Sequence, residues 1–178
     1  EYEIDGVVFK LDSLEEREEL GMTAHHPRWA LAWKFPPEIA ETVLLDVSWQ
    51  TGRTGTITPV GKVAPQKVGG VTVENVTLHN PGEVQRLGIS VGDKVRLVRR
   101  GDVIPKIESV LGMATESNLL NRTYADGTPF IGTLPSHQSI ITPTSCPSCD
   151  GKVVMEGAFL RCIDIKCIAR LSRRLRYW

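Results

Sequence analysis

All four cysteines of the chain fall within one short segment, CPSCDGKVVMEGAFLRCIDIKC, as Cys146, Cys149, Cys162 and Cys167 in the spacing C-x2-C-x12-C-x4-C. Two close pairs joined by a stretch long enough for a hairpin can bring four sulfurs to the corners of a tetrahedron, the arrangement zinc takes with thiolates at about 2.3 Å. Two disulfides are the competing arrangement. A knuckle-like pattern that uses every cysteine and scatters none elsewhere favours zinc. A segment this small encloses little apolar core, so metal binding supplies most of its folding free energy, on the order of 10–16 kcal/mol apparent. No fifth ligand is evident, which favours a structural site over a catalytic one. His137, upstream of the first pair, reads as a loop histidine.

The main core must therefore come from elsewhere. Between Thr42 and Gly112 the chain is a series of short β-rich runs, TVLLDVSWQ, TGTITPVGKVA, GVTVENVTLH, DKVRLVRR and DVIPKIESVL, punctuated by glycine-containing turns. One helical piece interrupts them: NPGEVQRLG offers Asn80 as cap, Pro81 at the first helical position, Glu83 three after the cap and Gly88 as stop. Three strands, a short helix and two more strands is the order of a five-stranded OB barrel, a fold that commonly holds nucleic acid. An SH3-like barrel is the alternative. The chain is thus expected to be mainly β with short helices.

The first 38 residues have another texture. The opening EYEIDGVVFK reads as a strand, and SLEEREELG reads as a helix with Ser13 as cap, Glu16 in the capping-box position and Gly21 as stop. RWALAWKF alternates Trp29, Leu31, Trp33 and Phe35 with Ala30, Ala32 and Lys34, the period of a strand with one core face. The other face is small and ends in a lysine, leaving room beside that ammonium for something bulky. Pro36 and Pro37 mark a boundary. Residues 113–145, rich in Ser, Thr, Asn, Gly and Pro without periodicity, read as a linker before the cysteine segment at 146–178.

Composition excludes some classes. With 41% hydrophobic and 24% charged residues the chain is globular, and no apolar run approaches the roughly 20 residues of a membrane span. No secretory leader is evident, so a cytoplasmic location is expected. The formal net charge of +0 hides an acidic start and a basic end, and residues 86–108 form a second positive stretch that could face a polyanion.

Lys10 ends the first strand and Lys34 ends the second. If the two strands are neighbours, two ammonium groups stand near the Asp5 carboxylate, a set suited to phosphoryl or nucleotidyl transfer: lysines neutralise charge growing on phosphate oxygens and an acid holds Mg2+. Strict alternation puts Asp5 and Lys10 on opposite faces, so a bulge or the strand end must re-aim one of them. A pair of surface lysines is the plainer reading.

EIDGVVFK resembles motif IV of the covalent nucleotidyltransferases, and RWALAWKFPPE resembles their motif V as carried by bacterial-type NAD-dependent DNA ligases. GRTGTITPVGKV, VENVTLHN, LGISVGDKVRLVRRGDVIPKI and the four-cysteine segment follow in the order of that family's OB domain and zinc finger. The resemblance implies the closing strands of a nucleotidyltransferase (adenylation) domain over 1–38, an OB domain over 39–112, a linker over 113–145 and a four-cysteine zinc finger over 146–178. It implies Asp5 as the motif IV acid associated with divalent metal, and Lys10 and Lys34 as lysines near the adenylate α-phosphate. Arg53, Thr54, Arg99, Val103 and Ile104 fall where the family contacts DNA around a nick. A turn that presents an arginine suits a backbone phosphate, and an apolar pair beside basic residues suits a groove contact. Val103 and Ile104 could equally be barrel core.

The implied activity is nick sealing in duplex DNA, as in replication and repair, with NAD as adenylyl donor and both Mg2+ and zinc bound. A lysine attacks NAD, AMP passes to a 5′-phosphate, and the 3′-hydroxyl displaces it. The family's nucleophile lies in a KxDG motif. Lys10-Leu11-Asp12-Ser13 only imitates it, so the nucleophile is expected upstream of residue 1, and this chain is expected to be an internal ligase segment, inactive alone. An NAD-recognising domain before it and helix-hairpin-helix and BRCT domains after it are expected as further parts of a monomeric polypeptide. A non-enzymatic OB-plus-zinc nucleic-acid module is the alternative, and a relative of ATP-dependent ligases or capping enzymes is a third reading.

Overall fold

The computed structural model describes residues 4, 6–99 and 104–175, the last four by backbone alone. Asp5 and Val103 lie outside the described residues.

The opening forms a two-stranded antiparallel ribbon, β1 (Gly6–Lys10) against β2 (Ala30–Lys34), with α1 (Leu14–Leu20) between them. The Ser13 hydroxyl accepts the Glu16 N–H at 3.3 Å, and Gly21 closes the helix at φ 62°. Arg17 ties α1 back to the ribbon: its Nε donates to the Leu11 carbonyl at 2.5 Å and its guanidinium lies 4.8 Å over the Trp29 ring. Gly6 is dictated by closeness, since a methyl there would sit 2.6 Å from the Trp33 carbonyl oxygen. The alternation predicts a core face on this ribbon. Instead Val7, Phe9, Leu31, Trp33 and Phe35 are exposed, Trp33 at 61%, because no described residue packs over them.

The barrel follows. β3 (Glu38–Thr51), β4 (Thr56–Val68), β5 (Val71–Thr77), β7 (Asp93–Arg99) and β8 (Lys106–Met113) form the ring β4-β3-β7-β8-β5, which closes where β5 pairs again with β4. All pairs are antiparallel except β5 with β8, joined in parallel at Thr77 and Lys106. With α2 (Pro81–Leu87) between the third and fourth barrel strands, this is the OB barrel predicted from the run order, not the SH3-like alternative. β3 serves two partners, β7 through residues 38–43 and β4 through residues 44–51, and its pairing with β4 shifts register between Leu44 and Asp46. Such a bulge bends a long strand around a barrel corner. α2 is built as its sequence implies: Asn80 Oδ1 accepts the Glu83 N–H at 2.8 Å, Pro81 opens the helix and Gly88 ends it in the left-handed region.

The barrel core is aliphatic, with Leu44, Val63, Val76, Leu78, Val95, Leu97 and Ile107 buried together and Val84 of α2 laid onto them. Leu97 is fully buried. Leu97→Ala leaves a cavity that this close-packed ring cannot fill, so urea denaturation should show a loss of about 2–5 kcal/mol.

Residues 114–145 hold little regular structure: a 3-10 turn at Glu116–Leu119, a bridge between Thr123 and Pro129, and β9 (Gln138–Ser139), which pairs with β6 (Ser90–Val91). They nonetheless strap onto the barrel. Ala114 and Leu119 are buried with Val43 and Ala64, and Phe130 and Leu134 pack beside them. Arg122 donates to Gln66 Oε1 at 2.7 Å, to the Pro65 carbonyl and the Thr42 hydroxyl at 3.2 Å each, and to the Asn118 carbonyl at 2.7 Å. His137 reaches Asp93 at 3.1 Å, a loop histidine that serves the barrel and not the cysteines.

Beyond the strap, β10 (Val153–Glu156) and β11 (Phe159–Cys162) form a hairpin, and α3 (Ile168–Leu175) follows the last cysteine. β11 pairs with the start of β4, Leu160 opposite Ile57 and Arg161 opposite Thr56, so the hairpin extends the barrel sheet. This covers a piece of β4 edge that β5, which begins pairing at Val60, does not reach.

Candidate metal centre and nucleic-acid interface

The four sulfurs of Cys146, Cys149, Cys162 and Cys167 all lie within 4.8 Å of one another, although they come from a knuckle, a strand end and a helix start. The knuckle is a tight backbone turn in which Cys146 O accepts the Asp150 N–H at 2.8 Å and Gly151 O accepts the Cys146 N–H at 2.9 Å. The closest sulfur pairs are Cys149 to Cys162 at 3.7 Å and Cys146 to Cys167 at 3.9 Å. Those separations are too long for a disulfide of about 2.05 Å and match the edge of about 3.8 Å of a tetrahedron with 2.3 Å metal–sulfur bonds. All four are free thiols.

Their protonation fits a cation at the centre. Burial pushes the Cys146 thiol up, but hydrogen bonds from the Thr51 hydroxyl, the Ser148 backbone and neighbouring thiols outweigh it and bring it down to about 7. The Gly151 backbone hydrogen bond favours the Cys149 thiolate, yet burial and the other three sulfurs overcome it and push Cys149 up to about 12. Burial raises Cys162 as well. One thiolate forms readily and the next ones resist, so several thiolates coexist only when a positive ion sits among them. No histidine or carboxylate joins the cluster among the described residues, a four-thiol donor set that fits a structural zinc site.

The site is not confined to the hairpin segment. Thr51, the last residue of β3 and 2% exposed, places its hydroxyl 3.3 Å from Cys146 Sγ, and Ile57 of β4 packs with Leu160 and the buried cysteines. Local sequence patterns offered no signal for Thr51, because the contact joins residues 95 apart.

The residues predicted to meet DNA are placed unequally. Arg53 and Thr54 are exposed on the turn between β3 and β4, which is closed by Gly52 N–H to Thr56 O at 2.8 Å and Gly55 N–H to Gly52 O at 3.0 Å. Thr54 Oγ1 lies 3.1 Å from Thr56 Oγ1. Ile104 is 73% exposed, so the barrel-core alternative does not hold for it. A cleft of about 230 Å³ opens beside it, lined also by His79, Glu83, Leu87 and Lys106. Arg99 differs from the expectation. It is 8% exposed, and its guanidinium donates to the Gly69 carbonyl at the β4–β5 turn, so it is not offered to a phosphate in this conformation. The charge of the stretch 86–108 is likewise partly paired within the fold's own surface, Arg86 with Glu83 at 2.6 Å and Lys94 with Glu41 at 2.5 Å.

On the ribbon, Gly6 stands opposite Lys34 and Lys10 opposite Ala30. Directly opposed residues of an antiparallel pair share a face, and alternation puts Lys10, Val8, Ala30, Ala32 and Lys34 on the same one. The two lysines therefore flank a shelf of small side chains, four residues or about 13 Å apart along the strands. They share a face without sharing a position.

Residues 1–38 match the family model of the NAD-dependent DNA ligase adenylation domain, and residues 41–118 match that of the NAD-dependent DNA ligase OB-fold domain. The chain is 43% identical over 180 residues to a DNA ligase of Brachyspira hyodysenteriae, covering 100% of this chain and 24% of that protein. It is 43% identical to a DNA ligase of Acinetobacter baylyi (99% and 24%) and 48% identical to one of Psychrobacter sp. (98% and 23%). It thus spans about a quarter of the length of these curated relatives. Two adjoining domain matches in order, and relatives that share its whole length, establish that this chain belongs to the NAD-dependent DNA ligase family.

Proposed function

We propose that the chain works as part of an NAD-dependent ligase that seals nicks in duplex DNA, its ribbon steadying a nucleotide phosphate and its barrel gripping the duplex. The observation that carries this reading is the register of β1 and β2, which puts Lys10 and Lys34 on one face around a floor of Val8, Ala30 and Ala32. NAD, when bound, supplies the adenylyl group. Lys10 and Lys34 then hold positive charge at both ends of the shelf, where it stabilises phosphate oxygens as their charge grows. Asp5 holds Mg2+ on the strength of the motif resemblance alone. No KxDG motif occurs in the chain, so radiolabelled NAD should leave no covalent adenylate on it; a labelled band would overturn that part of the reading.

In the barrel, Arg53 and Thr54 meet a backbone phosphate from an exposed turn, and Ile104, with Val103 beside it in sequence, presents apolar surface to a groove. Arg99 reaches DNA only by leaving the Gly69 carbonyl. In place, it braces β7 against the turn beside it. The finger holds zinc through Cys146, Cys149, Cys162 and Cys167 in a structural role. Nicked-duplex binding followed by fluorescence anisotropy tests the interface. Each phosphate contact releases counterions, so Arg53→Ala should lower the slope of log K against log salt by about 0.9. An unchanged slope would remove Arg53 from the interface.

A further inference from the structure

We infer that Thr51 is a positioning residue that, with the Gly55 carbonyl, joins the metal centre to the Arg53–Thr54 turn, so that metal occupancy sets the order of the turn that meets DNA. The consequence for DNA rests on the phosphate-contact reading of Arg53 and Thr54.

The turn between β3 and β4 has two stems, and each is held by a different part of the cysteine cluster. On the β3 side, the buried Thr51 hydroxyl lies 3.3 Å from Cys146 Sγ, the first sulfur of the knuckle. With Cys146 as a thiolate the hydroxyl is the donor. On the β4 side, the Gly55 carbonyl accepts the Cys162 N–H at 2.8 Å, at the end of the hairpin. Gly55 is held so close that a methyl on it would stand 2.7 Å from the Cys162 carbonyl oxygen and 3.4 Å from Arg170 Cδ, and its φ of +87° is one that side chains other than hydrogen rarely adopt.

Knuckle and hairpin end meet through their sulfurs as well as through the Ile163 N–H to Lys152 carbonyl bond at 3.2 Å, and burying several thiolates side by side is unfavourable without a cation. Metal at the centre therefore clamps the two stems from opposite sides. Without metal, only backbone pairing beside the knuckle would hold Cys146 near Cys162, and the sulfurs would no longer draw them together. Thr51 then loses its sulfur partner and Gly55 its donor, leaving the turn with its own two backbone hydrogen bonds. Linkage makes the effect mutual: whatever metal does for DNA affinity, DNA does for metal affinity by the same factor.

Three measurements on the zinc-loaded chain test this. Hydrogen exchange of residues 52–56 should speed up on zinc removal while peptides of β7 and β8 keep their protection. Thr51→Val, which keeps the shape and drops the hydroxyl, should weaken zinc binding about 10- to 100-fold in competition with a chromophoric chelator, and Thr51→Ser should restore it. Saturating nicked duplex should slow zinc release to the same chelator several-fold. Unchanged protection at 52–56 after zinc removal, or zinc bound by Thr51→Val as tightly as by the parent chain, would overturn the coupling. The two readings fail separately. If zinc removal loosens the turn while Arg53→Ala leaves DNA affinity unchanged, the phosphate contact falls, and with it the link to DNA. If Arg53→Ala weakens DNA binding while zinc removal leaves turn and affinity alone, the coupling falls and the contact stands.

Discussion

Stripping zinc from the chain under reducing conditions will unfold residues 146–171 and leave the barrel standing. The segment buries only Leu160 and three of its cysteines, and two of its apolar neighbours, Ile57 and Trp49, belong to the barrel. Apolar burial at about 25 cal/mol per Å² cannot order a piece with so little core. On the proposed zinc reading, the free energy would come from metal–thiolate bonds, on the order of 10–16 kcal/mol apparent. The main barrel core shares no residue with the cysteine cluster, so most of the barrel's packing should survive the loss of those bonds. Cys162→Ser should do nearly as much damage as chelation, because it removes a buried ligand at the strand end that docks on Gly55. Acidification acts in the same direction: each ligand must be a thiolate, protons compete with metal for the sulfurs, and zinc affinity falls as pH drops. Native mass spectrometry should find one zinc per chain, absent after chelation, and hydrogen exchange should localise the lost protection to 146–171 and the 52–56 turn that docks on it. A cysteine segment that stays protected when metal-free would show that it folds by packing alone.

What could be read in the sequence is what is local to it. The caps of α1 and α2 were legible because Ser13, Gly21, Asn80, Pro81 and Gly88 act on backbone within a few residues. The barrel strands were legible from β-rich runs between glycine turns and the cysteine cluster from spacing. Four features were not, each for a reason of distance. The alternation of Trp33 and its neighbours says that a face needs covering, and it cannot say what covers it. The polar segment 113–145 reads as a free linker because Leu119, Phe130 and Leu134 have no periodicity, although they pack on the barrel and Arg122 is bonded to it. The charge of 86–108 reads as a positive surface, whereas Arg99 turns inward and Arg86 and Lys94 meet acids from the fold itself. The contact most consequential for the site, Thr51 with Cys146, leaves no mark on either residue's neighbourhood in sequence.

Replacing Lys34 by Ala in the longer ligase polypeptide is expected to lower sealing at saturating NAD and DNA by about 10²- to 10³-fold, the loss typical when one preorganised donor to developing charge is removed. The register supports a direct role. Lys34 faces Gly6, so no side chain crosses the ribbon at its end of the shelf, and the only bulk between it and Lys10 is Val8 beside two alanines. Lysine also carries the charge on a flexible stem that can follow a phosphate as its geometry changes. Lys34→Arg keeps the charge but widens the head group over that narrow floor, and should recover only part of the rate. The loss should appear in kcat more than in KM if the ammonium acts mainly where charge develops. Lys10→Ala should behave alike, and if both lysines face one bound nucleotide, as proposed, the double variant should lose less than the product of the two single losses. Thermal unfolding should hardly move, because both side chains are exposed and neither is bonded within the fold in a way that sets its stability. Full sealing by Lys34→Ala would reduce the ribbon to scaffold and leave the barrel and finger as a nucleic-acid-binding module.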